Sequence, residues 1–297
     1  MGAERNASVL TVRNYGSDIG AFRAWYAEKF KHACDWPRLD AFHLRGYLVY
    51  LTERHYDRAT IHLKMSALRS FYKWLVRLEC VKQSPLAGLT LPKKARKLPK
   101  FLTIQQIDTL LNAPLADTDP KNLLAAWRDK AILETFYSAG IRIHELVGLN
   151  DDDVDFLGEI ALIRGKGKKE RLAPLGGPAV ETLQRYLELR KSVGARHASP
   201  LPRQISHPLF VNRFGGRMTA RSVQRMLKKY LLAVGLDPAL TPHKLRHSFA
   251  THMLDAGADL RSVQELLGHA NLSTTQIYTH ITPEQLKKVY EKAHPRA

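Results

Sequence analysis

Residues 91–100 read LPKKARKLPK, with two prolines and five basic residues in ten positions. Proline removes a backbone donor and clashes with the preceding helical turn, and the like charges repel one another. No helix or strand is expected to run through this stretch, so the chain divides there. At 297 residues it is long for one ordinary domain and about right for two. The expected division is residues 1–90, a basic linker at 91–100, and residues 101–297. The linker reads equally as an ordinary surface loop and as a segment that crosses phosphate groups.

The first part reads as helical. Tyr15, Ile19, Phe22 and Tyr26 follow one another at spacings of four, three and four, which is one face of a helix. Between Thr60 and Leu78 the pattern returns as Ile61, Met65, Leu68, Tyr72 and Leu75, with Arg58, Lys64, Arg69, Lys73 and Arg77 among them. Aromatic residues at helical spacing are usually core, so Phe71, Tyr72 and Trp74 are assigned mainly to the interior. Beyond residue 101 the pattern stays mostly helical, with one exception. The run EIALIRGKGKKERLAPL reads as strand, tight turn, strand: Ile160, Leu162 and Ile163 precede the Gly165–Gly167 turn, and Leu172 and Leu175 follow it. The fold class expected is mainly α: an all-α first domain, then a mixed, mostly α domain carrying a small antiparallel sheet.

Charge narrows the choice of partner. The formal net charge is +18, with +11 in residues 1–100 and +7 beyond them, so the surplus is not confined to one tail. A globular chain this basic usually meets a polyanion, and nucleic acid is the commonest. The two cysteines, Cys34 and Cys80, form neither a CxxC pair nor a disulfide framework, which fits a reducing cytoplasm. The opening MGAERNASVL lacks the apolar core of a signal peptide, and no stretch approaches the ~20 apolar residues of a membrane span. The expectation is a cytoplasmic protein with no membrane partner.

Three clusters are dense in catalytic residue types. In the segment Thr241–His252, Thr241 is positioned to cap a helix whose first residue is Pro242. His243 and Arg246 then share one face of the first turn, near backbone N–H groups that favour an anion. In the segment Leu266–Tyr278, Val263, Leu266 and Leu267 form an apolar stripe that Gly268 ends, leaving His269 just past a helix and Tyr278 a turn or two on. In the segment Ser138–Leu146, Gly140 breaks one helix, Arg142 opens the next, and Glu145 stands three residues on, spaced to brace the guanidinium. Each has a bland reading when taken alone: a capped helix, a rim tyrosine, a surface ion pair.

Together, AGIRIHEL, RGKGKKERLAPL, TPHKLRHSFATHML and LLGHANLSTTQIYTH resemble the motifs of the tyrosine recombinases (the phage integrase family), bacterial Xer type, over residues 8–295. By that resemblance Arg142 matches the first catalytic arginine and Lys166 the lysine of the hairpin. His243 and Arg246 match the HxLRH pair, His269 the histidine of LGH, and Tyr278 the nucleophile, while Glu145 matches an acidic position that supports the arginine. His144 departs from the small polar residue usual there, and reads as a tolerated neighbour. The resemblance further implies a SAM-like core-binding domain that clamps double-stranded DNA with the catalytic domain. It implies a tetramer on two DNA sites, a Holliday junction, and resolution of chromosome dimers before cell division, with a paralogous recombinase and a septal DNA translocase as possible partners. The C-terminal segment Pro283–Ala297, with Leu286, Val289 and Tyr290 at helical spacing, is expected to pack on a neighbouring subunit, as in relatives, or on its own.

The residue types suit that chemistry. A phenol with pKa near ~10 needs a proton acceptor at neutral pH, which His243 or His269 can supply. Arg142 and Arg246 stay charged and can each donate two hydrogen bonds to phosphoryl oxygens. By the same resemblance, Lys166 is the expected proton donor to the leaving 5′-oxygen. Exchange of one phosphodiester for another conserves bond energy, so no ATP, metal or other cofactor is expected. The sequence has no HExxH beyond the incomplete His144-Glu145, no P-loop and no cysteine pair for zinc. A phage- or mobile-element-type integrase, a type IB topoisomerase and a DNA-binding protein without catalysis remain as alternatives.

Overall fold

The computed structural model describes residues 9–92, 101–116, 119–165, 170–194, 207–268 and 283–297. The chain separates into two compact units, Met1–Leu98 and Pro99–Ala297.

The N-terminal unit is built on α1 (Val9–Phe30), α2 (Ala41–Glu53) and α3 (Arg58–Arg77). Side-chain caps set two of the starts. Asp40 accepts from the N–H groups of Phe42 and His43 at 2.9 and 3.1 Å, and Asp57 accepts from Ala59 at 3.2 Å. The α3 stripe Ile61, Met65, Leu68, Tyr72 and Leu75 is buried as its spacing implies. Tyr72 can be fully interior because its hydroxyl donates to the Trp36 carbonyl at 3.0 Å. The core is aromatic, with Phe22 and Tyr47 edge to face at 4.9 Å between centroids. Phe71 and Trp74 are partly buried and pack against this core, Phe71 edge to face with Trp36 at 4.7 Å between centroids. Trp25, off the Tyr15–Ile19–Phe22–Tyr26 line, is buried, while Tyr15 and Ile19 stay partly exposed.

The C-terminal unit is organised around α5 (Leu123–Ala139), which is buried almost all round from Ala131 onward. It packs against α4 (Ile104–Ala116) and α7 (Gly177–Gly194). Between α5 and α7 come the short α6 (Ile143–Gly148) and three strands, β1 (Val154–Asp155), β2 (Ile160–Arg164) and β3 (Glu170–Pro174). They form an antiparallel sheet in the order β1-β2-β3, with Ile163 opposite Arg171 and Ala161 opposite Ala173. The helices α8 (Ala220–Ala233), α9 (Pro242–Asp255), α10 (Leu260–Leu267) and α11 (Pro283–Ala293) complete the unit. The last of these packs on its own unit: Tyr290 is 2% exposed and its hydroxyl lies 2.7 Å from Ser138 Oγ. No described helix is long and apolar enough to cross a membrane.

Candidate active site

Two glycines shape the site. Gly140 ends α5 in the left-handed region at φ +54°, and a Cβ there would meet the Phe249 ring at 2.5 Å. Only glycine satisfies both demands, and the tight exit leaves Arg142 as the N-cap of α6. Gly268 ends α10 in the same way, at φ +65°, with Arg171 Cδ 3.0 Å from the Cβ position.

Glu145, at the third position of α6, is buried and stands at the centre of a charge cluster. It accepts from the Arg142 backbone N–H at 2.9 Å, as a capping-box glutamate does, and from Arg142 Nη1 at 2.8 Å. Arg171, reaching across from β3, adds Nη2 at 2.9 Å and Nη1 at 3.2 Å. Arg246, on the first turns of α9, brings Nη1 to 3.9 Å. Burial alone would raise the Glu145 pKa, but the bonds from Arg171 and Arg142 outweigh it and hold the carboxyl below its ordinary range. Arg246 shows the opposite pressure. Burial first, then the neighbouring Arg142, push it down to about 10, which still leaves it charged at neutral pH.

The same three arginines also hold the end of α10. Arg171 Nε donates to the Leu266 carbonyl at 3.1 Å, Arg246 Nη2 to Leu267 at 2.5 Å, and Arg142 Nη2 to Gly268 at 3.3 Å. The last carbonyls of a helix lack intrahelical partners and carry the negative end of its dipole, so cations suit them. Arg246 Nη1 donates in addition to the Gly140 carbonyl at 2.7 Å, which ties the α5 exit to α9. One carboxylate and three guanidiniums leave the cluster with a positive surplus. The side chain of Arg142 is 46% exposed, against 16% for Arg171 and 5% for Arg246, so Arg142 is the one open to an incoming anion.

The site residues expected from the sequence fall into two groups. Arg142, Glu145 and Arg246 come together around the end of α10, and His243 lies exposed on the first turn of α9, next to that cluster in sequence. Thr241 occupies the N-cap position of α9 with Pro242 first in the helix, but its side chain makes no capping hydrogen bond. His144 is exposed beside the cluster. Lys166, His269 and Tyr278 lie outside the described residues, as do most of the 91–100 linker and the hairpin turn at 166–169. Arg171 escaped the sequence reading. The signal was in the alternation: Ala173 and Leu175 face inward, so Arg171 shares their face opposite Ile163, while Leu172 points out and is 40% exposed. A charged residue at an inward position marks a partner waiting in the interior. Among the described residues no group of three or more His, Cys, Asp or Glu is arranged to hold a metal ion.

Comparison with known proteins agrees with this architecture. Residues 100–285 match the phage integrase family and residues 2–79 its N-terminal SAM-like domain. The chain is 43% identical to a tyrosine recombinase XerC of Syntrophus aciditrophicus, covering 100% of this chain and 95% of that one. It is 44% identical to the XerC of Natranaerobius thermophilus over 99% of this chain and 95% of that one. Among solved structures, XerH site-specific recombinase bound to a palindromic difH substrate superposes with a TM-score of 0.70 at 25% identity, over 96% of this chain and 80% of that one. The chain belongs to the phage integrase family and is an enzyme of the site-specific tyrosine recombinase class, of the Xer type.

Proposed function

We propose that the protein cuts and rejoins double-stranded DNA at a specific site through a covalent 3′-phosphotyrosyl intermediate, with Tyr278 as nucleophile. The observation that carries this reading is the cationic cluster in which Arg142 and Arg246 gather at the buried carboxylate of Glu145. Its surplus charge suits a phosphodiester, and more so the phosphorane-like transition state, whose non-bridging oxygens gain negative charge. A guanidinium has five donors, so Arg142 and Arg246 keep N–H groups beyond the protein bonds described.

In this reading the Tyr278 oxygen attacks phosphorus and the P–O5′ bond breaks. The phenolic proton passes to His243 or His269, and Lys166 protonates the departing 5′-oxygen. A 5′-hydroxyl from the partner strand then attacks the phosphotyrosyl link, and the tyrosine leaves with its proton restored. Glu145 supports Arg142 without touching the substrate. No cofactor or metal takes part. Residues 1–90 serve as a core-binding domain and residues 101–297 as the catalytic domain, with the basic 91–100 segment between them running along phosphates. XerH was solved on its difH substrate, and that likeness together with the +18 net charge favours duplex DNA as the partner. A tetramer on two sites, exchange through a Holliday junction and resolution of chromosome dimers in the cytoplasm follow from the Xer kinship. A paralogous recombinase and a septal DNA translocase are the partners such a role calls for.

The deciding experiment is covalent trapping on a nicked suicide duplex carrying the host's dimer-resolution site, with wild type and Tyr278→Phe side by side on a denaturing gel. An adduct in the wild type alone is expected. Adduct from Tyr278→Phe, or none from the wild type even with a partner recombinase present, overturns the proposal.

A further inference from the structure

Arg171 lies outside the residues that the proposed reaction uses, yet it makes more of the described bonds in the cluster than Arg246 does. Its Nη atoms grip both oxygens of Glu145, at 3.2 and 2.9 Å, and its Nε grips the Leu266 carbonyl at 3.1 Å. Every nitrogen of its guanidinium is thus committed to protein, and its side chain is largely buried. Its stem lies against Gly268, closely enough that a Cβ there would sit 3.0 Å from Cδ and Nε. The chain continues from Gly268 to His269, and Lys166 stands five residues before Arg171.

We propose that Arg171 is a positioning residue for the recombination reaction. It fixes the Arg142 guanidinium through Glu145 and the end of α10 through the Leu266 carbonyl, so the phosphate cradle is set by a residue that never touches phosphate. The geometry explains why arginine is needed. A planar fork can hold two carboxylate oxygens while its Nε turns to a third acceptor, whereas an ammonium is a point charge on a flexible stem. Without Arg171, the described hydrogen bonds to the Glu145 carboxylate come from Arg142 alone, with Arg246 at 3.9 Å, and the α10 terminus loses one of its three cationic ties. This inference rests on the reading that Arg142 and the residues after Gly268 carry the chemistry.

The test compares wild type, Arg171→Ala and Arg171→Lys in single-turnover adduct formation on the nicked duplex, with duplex affinity and unfolding midpoint measured on the same preparations. Arg171→Ala is expected to form adduct about 10²-fold more slowly, the scale of a small displacement in a reacting site. Its duplex affinity should be unchanged. Millimolar guanidinium, too dilute to shift the midpoint, should speed Arg171→Ala and not the wild type. Arg171→Lys, which keeps the charge and reaches one acceptor at a time, should fall between the two and serves as the test if Arg171→Ala does not fold. Cleavage at the wild-type rate by either variant overturns the proposal. So does a deficit that tracks the loss of folded protein and is untouched by guanidinium. Absence of adduct from the wild type itself would instead fell the recombinase chemistry beneath the proposal, and the proposal with it.

Discussion

The two units solve the packing problem with different materials. Among the described residues, the N-terminal unit buries only hydrophobic side chains, led by Phe22, Tyr47, Met65 and Tyr72. All the buried charged and polar residues lie in the C-terminal unit, including Asp129, Glu134, Glu145, Arg246, His252 and His294. An apolar core gains stability from area alone and tolerates small shifts of its parts. Buried charge is stable only with its partners in place, so it ties stability to geometry. The N-terminal unit is thus held together by buried area, and the C-terminal unit is built to hold a few groups at fixed positions.

The largest expected effect comes from breaking that charge geometry. Glu145→Gln leaves three guanidiniums with no anion among them, and should lower stability by about 3–5 kcal/mol, as loss of one partner from a buried pair does. Urea unfolding reads the stability, and adduct formation should fall with it. A core truncation in the other unit, Met65→Ala, should cost a similar ~2–5 kcal/mol. It should weaken duplex binding yet leave the adduct rate at saturating DNA unchanged. Equal loss of cleavage at saturation from both variants would break the contrast.

Acid should separate the units next. His294, stacked on Tyr290 at 4.6 Å and packed near Tyr137, Phe249 and Arg296, is pushed by burial from 6.5 down to about 3. The folded state therefore keeps it neutral while the unfolded chain takes up a proton below 6.5. Its contribution is complete above pH 6.5 and is lost progressively as the pH falls toward 3. The lowered pKa of Glu145 acts in the same direction at the acid end, and the lowered His252 adds to the loss below 6.5. Hydrogen exchange across this range should show the C-terminal unit losing protection first, since the N-terminal unit has no buried histidine among its described residues. Simultaneous loss in both units would contradict the assignment.

Smaller effects sharpen the comparison. Gly268→Ala should cost about 1–2 kcal/mol for its left-handed backbone, with a further cost from displacing Arg171. The caps should differ least. Asp40→Ala should lose about 1 kcal/mol, a normal N-cap, whereas Thr241→Ala should lose clearly less because its side chain caps nothing. Thermal unfolding of the two variants decides this.

Much was readable without coordinates. Helical spacing located the α3 stripe, glycine chemistry located the ends of α5 and α10, and alternation around the Gly165–Gly167 turn located the β2–β3 hairpin. Those are local properties, set by backbone sterics and by the period of each element. The pairing of Arg142 with Glu145 was also local, because three residues on a helix turn bring the two together. The depth of that pair was not readable. Glu145 could have been a surface partner worth little, and only the packing of α6 against α5, α8 and β2 makes it a buried hub. Arg171 and Arg246 reach that hub from 26 and 101 residues away, and each seizes a different carbonyl at the end of α10. Contacts at such separations depend on how elements stack, not on the period of any one of them. The sequence by itself determined which elements form and which residue types stand ready at their ends; the tertiary structure decided that three arginines share one carboxylate, because only packing brings β3, α6, α9 and α10 to a common point.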